Sequence, residues 1–344
     1  MAYTTINKPT DHFNTKLYTG NGGTNAITGV GFQPDWVWLK GRSYVDGHVI
    51  YDALRGTNYI QPNTTGTQSS IGTGLSSLDS DGFTLGSWSN INRNSENHVS
   101  WNWKANGIGS SNTDGTINST YTSANTTSGF SIVQYTGTGS AGATVGHGLG
   151  VAPKMIIVKG LSYADVWIVG GDNLGGWNKE LYLNNNNAVS TNTNAFYGVT
   201  PTSSVFTLGS GNATNKSGET YVAYVFAEKR GYSKFGSYIG NADADGTFVY
   251  TGFKPAFIIV KNISSSNHWI LLDNKREGYN PQKYALFSNQ TNAETGDYLV
   301  DFTANGFKVR TATGALNEDG ETLMYMAFAQ APLVGTNNTP AVAR

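Results

Sequence analysis

Short apolar runs separated by stretches of Gly, Asn, Ser and Thr recur along this chain. Trp36–Lys40, Met155–Lys159 and Phe257–Lys261 read WVWLK, MIIVK and FIIVK. Successive side chains of a strand point to opposite faces, so Trp36 and Trp38 oppose Val37 and Leu39. Met155/Ile157 likewise oppose Ile156/Val158, and Phe257/Ile259 oppose Ile258/Val260. A strand apolar on both faces lies between two layers. Pro34, Pro153 and Pro255 stand just before these runs, where a strand's first residue need not donate a hydrogen bond. Later strands follow Glu96, Glu219 and Glu321. One face of each is apolar: Val99/Trp101/Trp103, Val222/Tyr224/Phe226 and Met324/Met326/Phe328. The opposite face is Tyr221/Ala223/Val225 in the second strand and Leu323/Tyr325/Ala327 in the third. In the first it is His98/Ser100/Asn102, which predicts a face turned to water there and burial in the other two. No stretch keeps an apolar 3.6-residue period long enough for a substantial helix.

These runs belong to a longer repeat. YTGNGGTNAITGVGFQPDWVWLKGRS from Tyr18, YTGTGSAGATVGHGLGVAPKMIIVKGLS from Tyr135 and YIGNADADGTFVYTGFKPAFIIVKNIS from Tyr238 carry corresponding features in the same order. Each begins with an aromatic, passes a small-residue turn and a Pro, and ends in four apolar residues and a Lys. Strands around Phe83, Phe206 and Phe307 and the strands after the three Glu close each copy. The chain therefore divides into an N-terminal arm, 1–15, and β repeats at 16–107, 129–230 and 231–332. A Ser/Thr/Asn/Gly-rich linker, 108–128, is itself capable of pairing as a strand, and 333–344 form a polar tail. The expected fold is all-β, with three tandem related β-sandwich-like units in a row or about a pseudo-threefold axis.

Composition narrows the class. Of 344 residues, 43 are Gly, 12% are aromatic and 13% charged, which excludes a disordered polyampholyte and a coiled coil. Cys is absent, so there are no disulfides and no thiolate metal sites. The formal net charge of -1 and the lack of a basic run argue against nucleic-acid binding. No stretch at the N-terminus has signal-peptide character and none is long and apolar enough for membrane insertion, so the chain reads as soluble and made in a cytoplasm. The eight Trp concentrate in the first repeat, where Trp88, Trp101 and Trp103 mark a specialised copy.

Candidate chemistry is sparse. The five histidines, His12, His48, His98, His147 and His268, have no nucleophile elbow beside them. His48 and His268 stand at roughly corresponding strand starts, which suits a structural role. No HExxH motif occurs, and no metal and no cofactor is expected. Glu96, Glu219 and Glu321 recur at one position, as turn or pairing residues do, rather than as a glycosidase pair. Asn241–Gly246 begins like a calcium loop but has Gly252 where the bidentate Glu would stand, so a hairpin turn is the simpler reading. Asn184–Asn187 reads as an exposed turn.

The best binding candidates are three corresponding loops: Asp52, Arg55 and Tyr59; Asp172, Trp177 and Asn178; Asp273, Arg276, Tyr279 and Asn280. Carboxylates and amides hydrogen-bond sugar hydroxyls, an aromatic ring stacks on the apolar sugar face, and adjacent Gly permits close approach. The same residues also make an ordinary turn with an aromatic anchor.

The segments GFQPDWVWLKGRS, TSGFSIVQYTGTG, VGHGLGVAPKMIIVK, SGETYVAYVFAE, GYSKFGSYIGN and YTGFKPAFIIVK resemble a repeat domain of virion structural proteins of marine tailed bacteriophages. The resemblance covers nearly the whole chain and brings no catalytic residues with it. It implies a non-enzymatic virion component, made in the host cytoplasm. That component is a tail-fibre or receptor-binding protein, with a capsid decoration protein as the alternative within the class. Partners would be other virion proteins of tail or capsid, a host-surface glycan or receptor, and further copies of the chain in a homo-oligomer. A polysaccharide depolymerase, with paired carboxylates across a groove, is the rival from another class.

Overall fold

The computed structural model describes residues 2–340; Met1 and residues 341–344, the end of the predicted tail, lie outside the described residues. The fold is all-β, and among the described residues its strand ladders are antiparallel, with isolated parallel bridges such as Ile117 to Val145 beside them. Three large sheets carry it. Sheet I orders strands 13–19, 97–103, 36–41 and 49–52. Sheet II orders 121–125, 130–136, 220–226, 155–160, 168–171, 179–182 and 190–191, so part of the predicted linker is an edge strand. Sheet III orders 233–239, 322–332, 253–262, 270–273 and 286–287. The α-helices among the described residues are four-residue turns, as the missing helical period predicts.

The predicted alternation decides where each face goes. Trp36, Trp38, Trp101 and Trp103 of sheet I enter one cluster with Met155, Ile157, Tyr224 and Phe226 of sheet II and Phe257, Ile259, Met326 and Phe328 of sheet III. The opposite faces form three separate clusters, each between a large sheet and a smaller one. Val37 and Leu39 meet Ile27 and Phe83; Ile156 and Val158 meet Val145 and Phe206; Ile258 and Val260 meet Val249 and Phe307. Register is equivalent at the centre: Trp36 faces Trp103, Met155 faces Phe226, and Phe257 faces Phe328. Rings cross the sheet boundaries there, Trp36 stacking on Tyr224 at 4.6 Å and Phe13 on Phe328 at 5.2 Å. Trp36, Trp38, Trp101 and Trp103 are thus core and Trp88 is half-buried, so the specialisation expected from Trp88, Trp101 and Trp103 is one of packing.

Two expectations change on contact with the tertiary structure. Pro34 and Pro153 precede their strands, but the third strand begins at Phe253 and the pairing register slips on both sides of Pro255. A residue without an N–H cannot continue the ladder, so the strand bulges around it. More consequentially, His98, Ser100 and Asn102 are not turned to water; all three are fully buried, like Tyr221 and Leu323. Tyr18 stacks on the His98 ring at 4.9 Å, and Tyr44 closes edge-on over it. The Asn102 amide donates to the Asn14 carbonyl at 3.0 Å and to Ser100 Oγ at 3.0 Å. The polar face is tolerated inside because neighbouring groups supply much of its hydrogen bonding.

Loops of sheet I bond sheet II, loops of sheet II bond sheet III, and loops of sheet III bond sheet I. From sheet I, the Gln61 carbonyl accepts from Trp167 Nε1 of sheet II at 3.1 Å, and Gln68 N donates to the Leu161 carbonyl at 3.0 Å. From sheet II, the Tyr182 carbonyl accepts from Trp269 Nε1 of sheet III at 3.0 Å, and Val189 N donates to Ile263 at 2.9 Å. From sheet III, the Thr291 carbonyl accepts from Asp46 N at 2.9 Å, and Glu294 clasps Arg42 with bonds of 2.8 and 2.9 Å. By register, His48 takes in sheet I the place of Trp167 and Trp269, and the Phe287 backbone of sheet III lies beside it. His268, the residue paired with it in the sequence reading, stands one position earlier. The first residues are tied down too. Ile6 enters the central cluster, Tyr3 Oη donates to the Gly252 carbonyl at 2.8 Å, and Asn7 Nδ2 bonds Thr336 at 2.6 Å.

Candidate functional site

Each of the three candidate loops follows the strand at 49–52, 168–171 or 270–273. Asp52 Oδ1 accepts the backbone N–H groups of Leu54 and Arg55 at 3.1 and 3.0 Å, folding the chain back on itself. Its Oδ2 accepts Arg55 Nε at 2.7 Å and the Tyr224 hydroxyl of sheet II at 2.7 Å. Burial works against the Arg55 charge, but Asp52 and Tyr224 outweigh it and hold the guanidinium protonated. Burial also pushes the Tyr224 hydroxyl well above its ordinary value.

The third loop repeats this geometry against a different neighbour. Asp273 Oδ1 accepts from Lys275 N and Arg276 N, and Oδ2 accepts Arg276 Nε at 2.6 Å and Trp101 Nε1 of sheet I at 3.1 Å. In the second loop Gly175, at φ +88°, stands where the Arg would be. Asp172 is consequently at the surface, bonded to Lys154 Nζ at 2.6 Å and to Trp177 Nε1 at 2.6 Å. Leu174 enters the central cluster instead, and Asn173 Nδ2 lies 3.4 Å from the Tyr325 carbonyl of sheet III. The register explains the exchange: Trp101, Tyr224 and Met326 hold one position in the three sheets, and Met326 has no donor to offer a carboxylate.

Four of the ten sugar-binding candidates, Asp52, Arg55, Asp273 and Arg276, are therefore closed off from any ligand by the sheets they join. Trp177 is buried with its edge on Phe196, and Tyr59 is half-buried against Trp88 at 4.7 Å. Asp172, Asn178, Tyr279 and Asn280 remain exposed. Of these, Tyr279 (66% exposed) and Asn280 line a depression of about 330 Å³ together with Lys254, Lys275, Asn274 and Gln330. Asn280 is held rigidly, its Oδ1 accepting Phe302 N at 3.0 Å and its Nδ2 donating to the Phe302 carbonyl at 2.9 Å. Ammonium groups, amides and a free aromatic face around one hollow are the chemistry of polyhydroxyl or anionic sugar recognition.

The other recurring polar residues are spent inside the fold. Glu219 and Glu321 bond Ser162 Oγ and Ser265 Oγ at 2.7 Å each, and Glu96 bonds Ser43. Asp243 accepts Asp245 N at 2.8 Å through its Oδ1, and Asp245 pairs with Lys308 at 2.7 Å, so the calcium-like segment is a turn. It is not the expected hairpin, because strand 233–239 before it pairs with 322–332 and strand 248–250 after it pairs with 306–309 in another sheet. No group of three or more His, Asp or Glu side chains placed to hold a metal occurs among the described residues.

The structure gives roles to two triads, one of asparagines passed over in the sequence analysis and one of lysines noted there only as part of the repeat. Asn92, Asn215 and Asn317 are fully buried at the ends of short helices and hold the turns before them; Asn317 Nδ2 reaches the Asp243 carbonyl at 2.7 Å and that of Thr311 at 3.0 Å. Their recurrence four residues before Glu96, Glu219 and Glu321 was the available signal. Lys40, Lys159 and Lys261 are buried against backbone carbonyls. Lys40 Nζ bonds Gly41 at 2.8 Å and Thr291 at 3.3 Å; Lys159 Nζ bonds Asp165 at 2.9 Å and Thr65 at 3.1 Å. Burial pushes all three ammonium groups down to about 8.

Over residues 8–332 the chain matches the family described as "Domain of unknown function (DUF7483)", and it belongs to that family. Neither a curated protein nor a solved structure matches it.

Proposed function

We propose that this member of the DUF7483 family is a non-enzymatic virion structural protein, a tail-appendage component that touches a host-surface glycan through the Tyr279 depression. On this reading the chain is three related sandwich-like units closed about a pseudo-threefold axis, and homo-oligomers of it multiply a weak site by copy number. The observation that carries the proposal is the fate of the recurring polar groups. The Asp–Arg loops, the lysines, the asparagines and the Glu–Ser pairs are all consumed in holding sheet to sheet and turn to turn. A chain whose repeated chemistry is used up internally suits a rigid building block, and the resemblance to virion proteins supplies the particle.

Immunogold labelling of the phage particle that encodes the chain tests the location. Label at the tail appendage supports the reading. Label on the shell replaces it with capsid decoration, and unlabelled particles overturn it. Binding of the purified chain to an array of bacterial surface polysaccharides tests the contact. Retention by at least one glycan that Tyr279→Ala reduces tenfold or more is expected; retention unaffected by that change rejects the depression as the site.

A further inference from the structure

We propose that a second cavity, beside Glu180 in sheet II, binds a primary ammonium group carried on a small carbon skeleton. It is independent of the Tyr279 depression. The cavity arises from a difference among the three sheets. In sheet I, Tyr59 and Trp88 pack together at 4.7 Å and fill the space between the sheet and the short helix 89–92. Tyr59 precedes Ile60, which pairs with Ile50; the corresponding pair in sheet II is Val169 with Leu181, so Glu180 stands in the place of Tyr59. Trp88 precedes helix 89–92 as Gly211 precedes helix 212–215. In sheet III the two places hold Ala285 and Thr313, with Tyr298 packed on Phe287 at 5.4 Å. A Cβ on Gly211 would come within 2.7 Å of the Asn194 carbonyl, so nothing larger fits there. Two rings are thus exchanged for a carboxylate and a glycine, and a cavity of about 240 Å³ remains.

Carboxylates and amides make up its polar lining, together with Tyr182 and Thr214. Glu180 is 2% exposed. Its Oε1 accepts the Tyr182 hydroxyl at 2.8 Å and Asn192 Nδ2 at 2.9 Å. Those two donors are thereby used. Its Oε2 has no partner among the described residues, nor does any Lys, Arg or His there form an ion pair with it. Asp165 brings a second carboxylate to the same lining, while Val166, Ile168 and Ala213 supply apolar wall. An unpaired buried carboxylate oxygen is costly, and a ligand that donates to it and carries positive charge removes that cost. An ammonium offers three donors and no acceptor, which suits two carboxylates of which one has an unpartnered oxygen. Such a group is found on an amino sugar and on a simple alkylamine alike.

Calorimetric titration of the full chain with glucosamine, n-butylamine and N-acetylglucosamine tests the assignment. At least one amine should bind, and at least tenfold more tightly than N-acetylglucosamine, which lacks the ammonium. Glucosamine alone identifies an amino-sugar source; equal binding of n-butylamine identifies the bare ammonium as sufficient. Glu180→Gln should weaken amine binding at least tenfold with the fold retained, and Tyr279→Ala should leave it unchanged. Should Glu180→Gln fail to fold, Asp165→Asn carries the test: it keeps the backbone carbonyl that holds Lys159 and should weaken binding severalfold. Amines binding no better than N-acetylglucosamine, or amine affinity unchanged in the folded Glu180→Gln or Asp165→Asn variant, overturns the proposal.

Discussion

The Tyr224 hydroxyl of sheet II donates to Asp52 Oδ2 of sheet I at 2.7 Å, completing a buried carboxylate that already holds Arg55. A side chain of one sheet thereby finishes the hydrogen bonding of a loop belonging to another. Trp101 does the same for Asp273.

Removing either partner should be costly and unequal. Tyr224→Phe deletes one bond to a buried charge, an expected loss of about 1–3 kcal/mol. Asp52→Ala leaves Arg55 buried without its counter-charge, an expected loss of about 3–5 kcal/mol. Asp172→Ala removes a surface ion pair and one bond from Trp177 Nε1, an expected loss of about 1–2 kcal/mol. Urea unfolding of the three variants gives the order; an Asp172 variant as unstable as the Asp52 variant would contradict the account.

The three buried lysines make stability rise with alkalinity. Their folded values, about 8, lie below the ordinary 10.5, so the unfolded chain binds more protons between these limits. Stability should therefore increase from pH 8 upward, by at most about 1.4 kcal/mol per pH unit for each lysine. Below pH 8 these groups add no slope. Unfolding free energies at pH 8 and 9.5 should differ less in Lys159→Met than in the unaltered chain, and an identical difference would refute the assignment.

At the acid end His98 acts in the opposite window. Burial pushes its imidazole down from 6.5 to about 4, so the folded chain holds the ring neutral. The stability this leaves above pH 6.5 is lost as pH falls toward 4, up to about 3 kcal/mol for the full shift. In His98→Gln the drop in unfolding free energy between pH 6.5 and 4 should shrink measurably.

Trp177 and Tyr279, equivalent as loop aromatics in sequence, should separate in their variants. Trp177→Ala empties a buried site and should cost about 3–5 kcal/mol. Tyr279→Ala, at an exposed ring, should change stability by no more than about 0.5 kcal/mol. Thermal unfolding of the pair distinguishes them, and comparable losses would show that Tyr279 is a packing residue as well.

The loop residues show why a site is harder to read from sequence than a fold. Asp, Arg and Asn beside Gly have the same composition whether they meet a sugar or a neighbouring sheet. Asp273 is masked by Trp101, a residue 172 positions away, and no local pattern contains that distance. Tyr279, three residues after Arg276 in the third loop, is left exposed because that loop runs on beyond its anchor. The Glu180 cavity left a trace only in the alignment of the copies, where a carboxylate replaces an aromatic.

Alternation of apolar residues by itself determined the all-β class, the positions of the central strands around Trp36–Lys40, Met155–Lys159 and Phe257–Lys261, and the two-faced burial of Trp36–Leu39 and its counterparts. Those properties follow from local geometry, since successive side chains leave a strand on opposite sides whatever surrounds it. The order of sheets around the central cluster was decided only by tertiary packing, as were the burial of His98, Ser100 and Asn102 and the closure of the Asp–Arg loops. A polar side chain is stable inside when its hydrogen bonds are supplied. For the Asp–Arg loops and the lysines the suppliers are Tyr224, Trp101 and the carbonyls of Thr65 and Thr291, brought from another sheet or its loops, whereas Asn102 bonds Asn14 and Ser100 of its own sheet.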